Sequence, residues 1–146
     1  MKKFFSLLAL TVLISTAAMA APRAVGIRAS WGAEASYQHA FGNNFLEGDL
    51  GLFMNMFDVH AVYNFIFARP DWSEGEWAFY AGPGVGFYAN DGAVAFTIAG
   101  QIGGEYTFAK APIQLSLDLR PDIVCFSGET SFFKGWVPAL GIRYRF

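Results

Sequence analysis

From residue 24 to residue 146, apolar and polar positions alternate with period two in one segment after another, the pattern of β-strands with one apolar and one polar face. The end of the chain shows it most sharply: Leu140, Ile142, Tyr144 and Phe146 share one parity, and Ala139, Gly141, Arg143 and Arg145 the other. Eight segments emerge, at about 24–31, 35–41, 45–54, 57–68, 76–88, 94–108, 113–120 and 136–146. The fourth sets Phe57, Val59, Ala61, Tyr63, Phe65 and Phe67 against Asp58, His60, Val62 and Asn64. The seventh sets Ile113, Leu115, Leu117 and Leu119 against Gln114, Ser116, Asp118 and Arg120, while Phe53 breaks the pattern of the third. Gly42-Asn43-Asn44, the stretch Arg69 to Gly75, Asn90-Asp91-Gly92 and Ala109 to Pro112 read as turns between them.

Alternation alone does not say which face is inside. A soluble barrel of lipocalin type would bury the apolar face, whereas a membrane barrel turns it outward. The composition of the faces favours the second. Bulky aromatics stand near strand ends on the apolar face, among them Trp31, Trp77, Phe87, Phe108, Trp136 and Phe146, as interfacial girdles require. The polar face carries Gly82, Gly84, Gly86 and Gly103, which waste volume on a wetted surface but suit a crowded interior. A soluble sheet ending on Tyr144 and Phe146 would also leave an adhesive edge. The predicted fold is all-β: an eight-stranded antiparallel up-and-down transmembrane β-barrel.

The rest of the composition narrows the picture. Lys2 and Lys3, an apolar run from Phe4 to Ala17 and the small-x-small site Ala18-Met19-Ala20 predict a signal peptide over residues 1–20 and a barrel domain over 21–146, exported to the outer membrane. No cysteine follows that site, as a lipid-anchored chain would need; Cys125 is the only one, so no internal disulfide forms. Residues 21–146 hold eight basic and twelve acidic side chains, a formal net charge of −4 that gives no support to nucleic-acid binding. No apolar run after residue 20 reaches the ~20 residues of a membrane helix.

Gly141, Tyr144 and Phe146 match the C-terminal signal, polar-x-Gly-x-x-aromatic-x-aromatic, that outer-membrane barrels present to the barrel-assembly machinery, with Ala139 in place of the polar residue. Leu117-Asp118-Leu119-Arg120-Pro121 and Gly82-Pro83-Gly84-Val85-Gly86 are similar to segments found in the same group. Over residues 21–146 the chain resembles the small eight-stranded outer-membrane β-barrel proteins of OmpA/OmpX-type architecture. The resemblance implies both termini on the periplasmic side and outer connections at about 32–34, 55–56, 89–93 and 121–135. It implies contact with outer-membrane lipids and lipopolysaccharide, and no cofactor.

With the polar face inward, the lumen holds Glu34, Glu47, Asp49, Asp58, Glu105 and Asp118 against Arg28, Arg120, Arg143 and Arg145, with His60 among them. Unpaired buried charge is costly, so mutual pairing is expected, with Glu105 meeting Arg143 or Arg145. The interior of an eight-stranded barrel is just filled by side chains, which predicts a plugged lumen.

Asp58 and His60 share a face and form a candidate acid/base pair, with Ser30 and Ser36 near the same rim; a salt-bridged interior is the stronger reading. His39 reads as a solvated rim residue. No metal-ligand spacing, phosphate loop or nucleophile elbow is present in the sequence. Phe126, Phe132 and Phe133 in the longest outer connection either extend the strands past the bilayer or dock a partner protein or lipopolysaccharide. Trp72, in the unusually long turn 69–75, is a second candidate contact. The functional expectation is a non-enzymatic outer-membrane protein, structural or an accessory subunit of an envelope complex; a lipid A or phospholipid-modifying enzyme and a narrow channel are the alternatives.

Overall fold

A computed structural model describes residues 21–53, 55–90, 92–126 and 138–146. The expected signal peptide, Phe132, Phe133 and Trp136 lie outside the described residues. The strands are β1 (Ala21–Ala29), β2 (Ala33–Phe41), β3 (Asn44–Phe53), β4 (Met56–Ala68), β5 (Glu76–Asn90), β6 (Ala93–Thr107), β7 (Ile113–Leu119), β8 (Asp122–Phe126) and β9 (Ala139–Arg145). None of the described residues is helical.

Antiparallel pairing runs from each strand to the next from β1 to β7, β8 pairs with β6, and β9 returns to pair with both β1 and β7, so the sheet closes on itself. β8 continues β7: Ile102 faces Leu119 and Ala99 faces Asp122 in one unbroken register along β6. The Gly100 N–H donates to the Pro121 carbonyl at 2.9 Å, which holds the interrupted strand against β6 although Pro121 itself has no N–H to give. Nine labelled strands therefore make an eight-stranded antiparallel up-and-down barrel.

Local chemistry explains several details. Gly42 and Gly92 take φ of 62° and 81° in two-residue hairpin connections, a backbone that a side chain disfavours. Pro83 interrupts the β4–β5 ladder, whose pairs pass from Val62–Gly84 to Phe65–Ala81. At Pro22 the β1–β2 register shifts by one residue, a bulge that turns both Arg23 and Ala24 inward.

Burial is inverted relative to a soluble domain. Leu52, Ile27 and Ile142 on the outer wall are 69%, 56% and 56% exposed, whereas Glu47 and Arg143 inside are 0% and 2% exposed. The apolar parity of the sequence is thus the outer wall, and the polar parity is the interior.

Three boundaries differ from the expected ones. β2 begins at Ala33, which brings Glu34 out of the expected turn and into the wall. β1 begins at Ala21, so Arg23 joins the interior. The expected connection 121–135 instead opens with strand β8, which contains Cys125 and Phe126 and brings Asp122 inside.

Candidate functional site

The chemistry of this barrel is concentrated in its interior, and three clusters follow one another along the axis. Nearest the end that carries Phe146, Arg23 pairs with Glu105 and lies 4.2 Å above the Phe45 ring. Gln114 donates to the same Glu105, and Arg23 also donates to Gln38. Glu105 was expected to meet Arg143 or Arg145. The bulge at Pro22 supplies Arg23 instead, and a guanidinium already seated beside Glu105 leaves no need for the other two.

Glu47 is the centre of the second cluster. Its carboxylate accepts from Gln38 Nε2 at 2.7 Å, Gln101 Nε2 at 3.0 Å, Arg143 Nη2 at 3.2 Å and Arg120 Nη2 at 3.3 Å. Arg143 also donates to Ser36 Oγ at 2.9 Å and Ser116 Oγ at 2.7 Å, and Arg120 pairs with Asp49. Gly141 makes this possible: a Cβ there would lie 2.7 Å from Arg143 Nη1. Gln38 links the first two clusters, since its amide oxygen accepts from Arg23 while its nitrogen donates to Glu47.

Toward the opposite rim, Arg28 makes a forked pair with Asp118, with Nη2 to Oδ1 at 2.5 Å and Nε to Oδ2 at 3.2 Å, and reaches Glu34 at 2.6 Å. Arg120 stands 3.5 Å from the same Glu34 oxygen. Beside them His60 lies between two carboxylates: Nδ1 is 3.2 Å from Asp58 Oδ2, and Nε2 is 3.1 Å from Asp122 Oδ2. The Tyr88 hydroxyl is 3.0 Å from His60 Nε2 and donates to Asp122.

The interior therefore gathers Arg28, Glu47, Asp49, Asp58, His60, Glu105, Asp118, Arg120 and Arg143 as buried groups. Arg145 is half-buried and makes no ion pair among the described residues, with Nη1 lacking a hydrogen-bond partner. Two site residues escaped the reading of the sequence. Arg23 was hidden by the bulge, and Asp122 by the proline before it.

Neither Ser30 nor Ser36 meets His60. Ser36 is engaged by Arg143, and Ser30 is exposed in the turn after β1. The ring nitrogens of His60 face carboxylates and the Tyr88 phenol, so the Asp58–His60 pair has no serine hydroxyl to activate among the described residues.

On the outer wall, Trp72 is 67% exposed and packs edge-on against Trp77 and Phe79 at 5.6 and 5.5 Å between ring centroids. Tyr106 and Phe108 continue this aromatic group. Tyr144 and Phe146 are exposed, in edge contact at 5.5 Å, while Gly141 faces inward. His39 is half-buried, with Nδ1 2.8 Å from the Tyr37 hydroxyl. Compared with protein-family models, with curated proteins and with solved structures, the chain finds no match in any of the three.

Proposed function

We propose that this chain is an integral outer-membrane protein whose apolar wall faces lipid and whose lumen is closed by its own ion pairs, acting structurally or as an accessory subunit of an envelope complex. The inverted burial carries this reading: Ile27, Leu52, Leu117 and Ile142 are exposed while Glu47, Asp118 and Arg143 are buried. In water such a wall would be an adhesive surface far beyond the few hundred Å² a soluble monomer tolerates. In a bilayer the same wall is solvated by acyl chains, and the aromatic group around Trp72 and Trp77 sits well at an interface. The exposed Tyr144 and Phe146 with inward Gly141 then serve as the signal to the barrel-assembly machinery.

The plug argues for closure. A continuous run of hydrogen bonds from Glu105 through Arg23, Gln38, Glu47 and Arg120 to Glu34 occupies the lumen. An open channel would need these pairs to part, and each would then leave buried charge uncompensated. In fractionated cells the full-length protein is expected to sediment with outer membranes and to resist extraction by alkaline carbonate. In planar bilayers the purified barrel is expected to give no steady conductance. Recovery from the soluble fraction would remove the membrane reading, and steady ohmic currents would remove the closed lumen. Lipid A and phospholipid profiles are expected to be the same with and without the gene.

A further inference from the structure

Two interior carboxylates stand outside the arginine pairing. Among the described residues, Asp58 and Asp122 have no guanidinium within ion-pair distance, and both face His60 instead. Around them Arg28 and Arg120 are already taken up by Asp118, Asp49, Glu47 and Glu34. This rim therefore carries an excess of negative charge in a buried setting.

One of the two neutral tautomers of His60 carries its proton on Nε2, toward Asp122. Asp122 offers acceptors only, so the proton on Nε2 points at Asp122 Oδ2, 3.1 Å away. In neutral imidazole that leaves Nδ1 as a bare lone pair. It lies 3.2 Å from Asp58 Oδ2 without a hydrogen bond, although His60 is only 2% exposed. Two acceptors facing each other in a dry site repel, and a cation between or beside them turns that repulsion into ligation.

A third donor is in place. One ligand atom each from Glu34, Asp58 and His60 lies within 4.8 Å of the other two. Three donors bound at about 2.0–2.2 Å to one ion stand roughly 3.2–3.8 Å apart, so side-chain shifts of up to about an ångström close the set on an ion. Arg28 and Arg120 both engage Glu34 Oε2, and Oε1 has no hydrogen-bond donor among the described residues.

The backbone makes room for the three groups. Gly51 stands between Glu34 on β2 and Asp58 on β4, and a Cβ there would come within 2.7 Å of the Asp58 carboxyl carbon. Gly86 stands beside His60 on β5, where a Cβ would come within 2.6 Å of Nε2.

We propose that Glu34, Asp58 and His60 Nδ1 bind a divalent transition-metal ion of the Zn²⁺ kind at the rim opposite Phe146. Asp122 and Tyr88 hold the imidazole from behind, the carboxylate–histidine–metal arrangement in which a second carboxylate fixes the tautomer. One imidazole with carboxylates suits Zn²⁺ better than Ca²⁺, which prefers an all-oxygen shell.

The test uses the full, untagged, chelator-treated barrel in detergent, with Co²⁺ as the absorbing probe and Zn²⁺ as competitor. Wild type is expected to take up one equivalent of Co²⁺ with visible ligand-field bands that Zn²⁺ displaces. His60→Gln and Asp58→Asn are expected to lose that binding, and Asp122→Asn to weaken it about 10–100-fold through the orientation of His60. Heat-dependent migration in gels checks that each variant is folded. Should His60→Gln not fold, Glu34→Gln, at the least buried ligand, is expected to weaken binding at least tenfold. Wild type without saturable one-equivalent binding would mean that an imidazolium shared by two carboxylates balances the site, and the proposal falls. Folded His60→Gln or Glu34→Gln protein that binds as wild type does overturns it equally.

Discussion

Glu47→Ala is expected to destabilise the barrel by about 3–5 kcal/mol, the range found when one partner of a buried ion pair is removed. Alanine takes away the one group that meets Arg143, Arg120, Gln38 and Gln101 together. Arg120 keeps Asp49 and Arg143 keeps its two serines, so the loss falls short of two fully orphaned guanidiniums. Glu47→Gln is expected to lose less, because it keeps the volume and one acceptor while exchanging charge-assisted bonds for ordinary ones. Urea unfolding in detergent, followed by heat-dependent gel mobility, reads both. A Glu47→Ala midpoint equal to wild type would mean that the lumen is wet enough to solvate these arginines and that the plug is not what closes it.

The second large effect belongs to the opposite face. Ile27 lies on the outer wall of β1, 56% exposed, beside Ala35 on β2 and Ile142 on β9. On a water-facing surface Ile27→Arg would change stability by about half a kcal/mol or less. On a lipid-facing wall it is expected to cost about 2–4 kcal/mol at mid-depth, falling toward zero near the interfaces. The outcome separates the two solvents without any assumption about function. Folding in lipid vesicles, measured against denaturant, gives the number, and Trp72→Arg at the aromatic rim is the shallow comparison with a smaller expected cost. Equal, negligible effects at both sites would argue that water, not lipid, surrounds the wall.

The sequence made the barrel legible because period two is a strong signal when it repeats. Phe57 through Phe67 and Ile113 through Leu119 assign their faces without ambiguity, and burial follows those assignments. Two local departures escape it. Counting parity back from Val25 and Ile27 puts Arg23 on the apolar side; a bulge adds one residue and reverses that parity, and no pattern of apolar positions announces a bulge. Pro121 reads as a strand stop, yet the next residues hold the register of β7 because the Pro121 carbonyl still accepts. Alternation shows which residues share a face of the wall, but not which of them meet. Who meets whom depends on tilt and register around the closed ring, which places β1 beside β9 and lets Arg23 reach Glu105 across the interior. The His60 cluster was half legible for the same reason: Asp58 is two residues away in one strand, while Asp122 and Tyr88 arrive from β8 and β5.

Arg143 comes from the last strand of the chain, and its carboxylate partner Glu47 comes from the third. A sheet with β9 still detached would hold Glu47 without that counter-ion and Ser36 without its donor. Seam closure between β1 and β9 and the arrival of Arg143 beside Glu47 are thus one event rather than two. A mispaired final strand, shifted by one residue, would point Arg143 outward and leave the lumen charge standing. Only the register of the closed seam brings Arg143 to Glu47, Ser36 and Ser116 together.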